Sequence, residues 1–166
     1  MHVIFNHGKE SGPWGTKISA LANTAESLGC SVESLDYRGE MDADKRVKQL
    51  YAHIEPRNDD NFILVGSSMG GYVATAAADA LPIKGLFLLA PAFYLGGYTA
   101  LDNLNLMAPI SIVHGWRDDV VPVANSWRFA QSFKADLHVL DDDHRLVDTL
   151  PHSIDIFRRF LSEVMS

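Results

Sequence analysis

Phe62-Ile63-Leu64-Val65-Gly66-Ser67-Ser68-Met69-Gly70-Gly71 is the stretch that decides the architecture of this chain. Its four leading apolar residues lack helical spacing and include β-branched side chains, the pattern of a strand buried on both faces. They run into Gly66-Ser67-Ser68-Met69-Gly70, a G-x-S-x-G pattern, and then into Tyr72-Val73-Ala74-Thr75-Ala76-Ala77-Ala78, a good helix former. Strand, tight turn and helix with a serine at the apex is the context of a nucleophile elbow. The flanking glycines let the helix pack close to the strand while the serine takes a strained backbone conformation. The plain alternative is a glycine-rich strand-to-helix turn that happens to contain serines. Ser67 competes with Ser68, but Ser68 is the one centred between Gly66 and Gly70.

The surrounding composition narrows the class. With 166 residues, 47% hydrophobic and 21% charged, the chain has the length and balance of one globular domain with a substantial core. Lys plus Arg number 14 against 21 Asp plus Glu, a formal net charge of −7. That disfavours nucleic acid and anionic membrane as partners, because both require basic patches. The single cysteine, Cys30, excludes an internal disulfide framework and suits a reducing compartment. Val3-Ile4-Phe5 opens without a cationic leader, and the apolar stretch from Gly85 to Leu95 is broken by Pro91. The expectation is a cytoplasmic protein that does not engage a membrane.

Taken in order, strands are predicted at Val3–Asn6, Ser31–Leu35, Phe62–Val65, Gly85–Ala90, Ile110–Val113 and Leu137–Leu140. Helical spacing marks Thr16–Leu28, Asp42–Ile54 (with Val47, Leu50, Tyr51 and Ile54 on one side), the segment after the elbow, Val123–Phe133 and about Leu150–Val164. Apolar strands alternating with helices predict an α/β domain, residues 1–166, with about six mostly parallel strands covered on both faces.

In such a sheet, ligands bind beyond the carboxyl ends of the strands. Three of those ends carry Ser68, Asp118 and His144 in chain order. A serine hydroxyl is a weak nucleophile until a histidine accepts its proton. The histidine in turn needs a carboxylate to hold its tautomer. Four segments then carry a family resemblance: His7-Gly8, the elbow, His114-Gly115-Trp116-Arg117-Asp118-Asp119-Val120-Val121-Pro122, and Asp143-His144. Together they resemble the α/β-hydrolase superfamily, in the manner of its small bacterial esterases with minimal or no lid. The resemblance covers nearly the whole chain. It implies Ser68 as nucleophile, His144 as base and Asp118 as acid, with Asp142 or Asp143 as lesser alternatives for the acid. It also implies an oxyanion hole made by the backbone N–H groups of Lys9 and Met69. Only Pro91 to Pro109 separates the fourth strand from the acid segment, which leaves little room for a lid.

Among the remaining residues, Ser11, Trp14, Phe93, Tyr94 and Tyr98 are candidate substrate contacts, and Trp116 and Trp127 read as core or pocket wall. His7 and His114 read as supports for their loops, and Arg38 and Arg117 as surface ion-pair partners. Asp141-Asp142-Asp143 reads as a solvated acidic loop, since consecutive carboxylates cannot all converge on one ion. The expected function is cleavage of a small ester or thioester through an acyl-Ser68 intermediate, with no cofactor and no metal. Acyl transfer or carbon–carbon hydrolysis by the same residues, and a non-catalytic binding protein on this scaffold, are the alternatives. A homodimer is compatible with the sequence.

Overall fold

The computed structural model describes residues 1–57 and 61–166. Among the described residues, eleven elements follow in the predicted order: β1 (His2–Asn6), α1 (Thr16–Ser27), β2 (Ser31–Leu35), α2 (Ala43–Ile54), β3 (Phe62–Ser67), α3 (Met69–Ala78), β4 (Ile83–Leu89), β5 (Ile110–Gly115), α4 (Val123–Phe133), β6 (Asp136–Leu140) and α5 (Leu150–Val164). The strands form one sheet in the order β2-β1-β3-β4-β5-β6, every pairing parallel.

The apolar runs are explained by what covers them. Successive strand residues point to opposite faces, so Val3, Phe5, Ile63, Val65, Phe87 and Leu89 meet α1 and α5 on one side. Ile4, Phe62, Leu64, Leu86 and Leu88 meet α2, α3 and α4 on the other. Phe62 to Val65 are each at most 1% exposed. At roughly 1.5–3 kcal/mol per fully buried large apolar side chain, this run alone is a major stabilising element.

One helix is turned relative to its sequence reading. The buried stripe of α2 is Ala43, Arg46, Leu50 and Ile54, while Tyr51 is exposed and Val47 only partly covered. A charged residue therefore occupies an inward position. Asp42 starts this helix, its carboxylate accepting the Asp44 and Lys45 N–H groups at 2.9 and 3.1 Å.

The chain leaves β1 for α1 on one face and leaves β3 for α3 on the opposite face. The two loops part above neighbouring strands, opening a crevice at the carboxyl edge of the sheet. Between β4 and β5 there is no helix or strand, as the shortness of that segment predicts. Among the described residues no helix is long and apolar enough to cross a membrane.

Candidate active site

Ser68 sits between β3 and α3 with φ 54° and ψ −119°, a conformation that a non-glycine residue holds only under constraint. The constraint comes from close packing around it. A Cβ on Gly66 would enter the Gly70 carbonyl, and one on Gly70 would enter the carbonyl of Asn6 on β1. The Ser68 N–H donates to the Leu89 carbonyl at 2.9 Å, and the Ser68 carbonyl accepts from Ala92 at 3.0 Å. The elbow is thus tied to both neighbouring strands.

The loops after β5 and β6 bring two more side chains to it. His144 Nε2 lies 2.9 Å from Ser68 Oγ, and His144 Nδ1 lies 2.7 Å from Asp118 Oδ2. Asp118 can only accept when ionised, so Nδ1 carries the proton, and Nε2 is the acceptor for the Ser68 hydroxyl. Asp118 Oδ1 accepts the N–H groups of Val120 and Val121 at 2.9 and 2.7 Å. His114 Nε2, 3.0 Å from Oδ2, donates there and to the Val121 carbonyl at 2.9 Å. Burial alone would push the Asp118 carboxyl up, but the hydrogen bonds from His114, His144, Val121 and Val120 hold it well below the usual carboxylate range. Gly115 lets the two loops meet, since a Cβ there would strike the carbonyl of Asp142.

The two lesser acid candidates point elsewhere. Asp142 is buried, and its Oδ2 accepts from the N–H and hydroxyl of Thr149 at 2.7 and 2.8 Å, securing the start of α5. Asp143 Oδ1 accepts from the Arg145 N–H at 2.8 Å. The acidic run is therefore not uniformly solvated: Asp141 pairs with Arg117 at the surface while Asp142 is a structural cap. Arg38 likewise pairs with Asp36 at the surface.

A cavity of about 550 Å³ opens beside Ser68 and His144, with Ser11, Tyr98, Lys9 and Lys17 in its wall. Three candidate contacts lie outside that wall. Phe93 is buried in a stack with Phe129, ring centroids 4.3 Å apart, and Tyr94 lies under the Arg128 guanidinium at 3.8 Å. Trp14 is half exposed and does not line the cavity. Trp116 and Trp127 are also exposed rather than core. An aromatic residue in a short connecting loop can face core, cavity or solvent, and hydropathy does not choose among them.

His7 is a structural residue. It is wholly buried, Nδ1 donating to the Gly8 carbonyl at 2.7 Å and Nε2 accepting the Tyr37 N–H at 2.9 Å. Burial lowers its pKa, which keeps it neutral. Met69 opens α3, where the first N–H groups have no intrahelical partner. Lys9 follows Gly8, at which a built Cβ would lie 3.6 Å from Ser68 Cβ.

Two residues escaped the sequence reading. Lys17 stands in the cavity wall, and among the described residues its ammonium makes no hydrogen bond or ion pair. Burial lowers it to about 8, against the opposing influence of Asp118, Asp142 and Asp143. Arg46 is fully buried beneath the loop that follows β1. Its signal was present, because it lies four residues before Leu50 on the inward stripe of its helix.

The model of an uncharacterised protein family, UPF0227, matches residues 2–103. A solved protein of Xanthomonas campestris pv. campestris, assigned to the alpha/beta superfamily of hydrolases, is 34% identical. The match covers 98% of this chain and 97% of that one, with a TM-score of 0.88. The fold is also shared with Est1E from Butyrivibrio proteoclasticus (20% identity, 99% and 88% covered, TM-score 0.82) and with the Pyrococcus furiosus esterase Pf2001 (20%, 99% and 82%, TM-score 0.86). No curated protein matches the sequence.

Proposed function

Because the chain belongs to the UPF0227 family and to the α/β-hydrolase superfamily, we propose that it is a serine hydrolase cleaving small esters or thioesters through an acyl-Ser68 intermediate. The observation that carries this reading is the continuous hydrogen-bonded line Ser68–His144–Asp118 opening onto a cavity. Ser68 Oγ attacks the substrate carbonyl carbon as His144 Nε2 takes its proton, and the carbonyl electron pair moves onto oxygen. The oxyanion is met by the N–H groups of Lys9 and Met69. Collapse restores the carbonyl and breaks the bond to the leaving oxygen or sulfur, which takes the proton from His144. A water then repeats the sequence on the acyl-enzyme: it loses one proton to His144, and Ser68 recovers that proton as the acid leaves.

Fluorophosphonate labelling followed by peptide mass spectrometry tests the reading, together with turnover of p-nitrophenyl acetate and of an acyl thioester. The expected result is an adduct on Ser68 in native but not heat-unfolded protein, and loss of turnover by at least about 10³-fold in Ser68→Ala. Turnover at the wild-type rate in a folded Ser68→Ala variant would overturn it.

Lys17 bears on which esters bind. A partly buried ammonium that makes no hydrogen bond or ion pair among the described residues, beside a site in a chain of net charge −7, favours a substrate carrying a carboxylate or phosphate. A carboxylate-bearing ester is expected to show a KM about 3–10-fold below that of its neutral isostere, equivalent to about 1 kcal/mol. Lys17→Gln should erase the difference. Because the ammonium is lowered to about 8, the preference should fade as pH rises through that value. A KM ratio that is constant from pH 6 to 9.5 would exclude this role for Lys17.

A further inference from the structure

We infer that Arg46 is a positioning residue that turns the Lys9 N–H toward the Ser68 cavity; the inference rests on the hydrolase reading above. Arg46 is 0% exposed, and among the described residues no carboxylate pairs with it. A buried guanidinium is costly unless its N–H groups are bonded. Here the acceptors are all main-chain. Nε donates to the Glu40 carbonyl at 2.8 Å, Nη1 to the carbonyls of His7 and Gly8 at 3.2 Å each, and Nη2 to that of Lys9 at 3.4 Å. The Tyr37 ring lies beneath the guanidinium, 5.2 Å from its centroid. Three successive carbonyls after β1 are thereby drawn to one side of the chain.

The peptide bond supplies the rest. No cis peptide occurs among the described residues, and in a trans peptide the C=O and the following N–H point in opposite directions. Drawing the carbonyls of His7, Gly8 and Lys9 toward Arg46 turns the N–H groups of Gly8, Lys9 and Glu10 away from it. Those three residues line the cavity that holds Ser68. Among the described residues none of the three N–H groups has an acceptor. Successive N–H groups facing one way form a concavity that binds anions, which is what the oxyanion of the proposed reaction requires. The Gly8 carbonyl is held by three side chains, Arg46 Nη1 at 3.2 Å, His7 Nδ1 at 2.7 Å and the Ser11 hydroxyl at 3.5 Å. The rigid guanidinium fork reaches four carbonyls, that of Glu40 included, whereas a lysine ammonium is a compact point charge with three donors, so lysine does not replace arginine here.

The test compares Arg46→Lys with Leu50→Ala, a core truncation one turn along the same helix, using p-nitrophenyl acetate. Arg46→Lys is expected to lower kcat and the rate of fluorophosphonate labelling about 10–100-fold with KM within threefold, because aim at the oxyanion acts in the transition state. Leu50→Ala is expected to lower Tm by as much or more with kcat within threefold. Wild-type kcat in a folded Arg46→Lys protein overturns the inference. If Ser68→Ala is inactive in the same assay, the hydrolase reading survives that result. If Arg46→Lys does not fold, the wild-type protein decides: the Lys9 amide proton should shift downfield when the fluorophosphonate adduct forms, and an unmoved Lys9 amide overturns the inference.

Discussion

Asp118→Asn is expected to lower kcat about 10³–10⁴-fold while KM changes little. The size follows from the way the carboxylate is held. Both N–H groups of Val120 and Val121 donate to Oδ1, so an amide at this position must place its oxygen there. Its NH₂ then faces His144 Nδ1 and His114 Nε2. His144 can satisfy that donor only by moving its own proton to Nε2, and in that tautomer it cannot accept the Ser68 proton. His114 is caught in the same reversal, because its Nε2–H also serves the Val121 carbonyl. A stability loss of about 1–2 kcal/mol should accompany the loss of activity. Steady-state kinetics with a thermal melt check both parts. A kcat within tenfold of wild type would mean that the carboxylate does not set the histidine tautomer.

Gly70→Ala is expected to be the most damaging single methyl group in the chain. The added carbon would overlap the Asn6 carbonyl and come within 2.7 Å of the His7 oxygen, all main-chain atoms of β1 and its exit. Neither partner can yield: α3 is pressed onto the sheet, and Asn6 is fixed by its pairing with Gly66 and by its side-chain bond to the Val65 carbonyl at 3.1 Å. The cost should exceed about 4 kcal/mol, the range reserved for severe core disruption. Gly96→Ala is the contrast, since a Cβ there meets nothing within 4 Å; a change within about 0.5 kcal/mol is expected. Urea unfolding of the two variants separates them, and a Gly70→Ala protein within 1 kcal/mol of wild type would contradict the packing described.

The order of elements was legible because the central strands β1, β3, β4 and β5 are buried along most of their length and read as mainly apolar runs, while the helices carry their own periodicity. The edge strands β2 and β6 are more polar and only partly buried. The convergence of Ser68, Asp118 and His144 followed from the strand-end rule, since residues far apart in the chain share one edge of a parallel sheet. Rotation about a helix axis was less legible. The stripe on α2 was read through Val47 and Tyr51, because an inward arginine looks like a solvated one until the loop carbonyls that receive it are located. The roles of Phe93, Tyr94 and Trp14 were hidden for a related reason. In an irregular connection no period links a side chain to a face, so only the folded path tells Tyr98, in the cavity wall, from Phe93, in the core.

The outward placement of Trp14, Trp116 and Trp127, at 52, 64 and 60% exposure, determines how unfolding of this protein can be watched. Indole emission depends on contact with water, and all three indoles already have it in the native state. Their spectrum should therefore shift little on denaturation, and a melt followed by tryptophan fluorescence would show a shallow transition even while the sheet is lost. The buried chromophores are Tyr37, Tyr72 and the phenylalanine stacks, so far-ultraviolet circular dichroism and tyrosine absorbance are the probes that report global unfolding. Trp116, directly after β5 on the loop that carries Asp118, is left as a local reporter of changes in that loop.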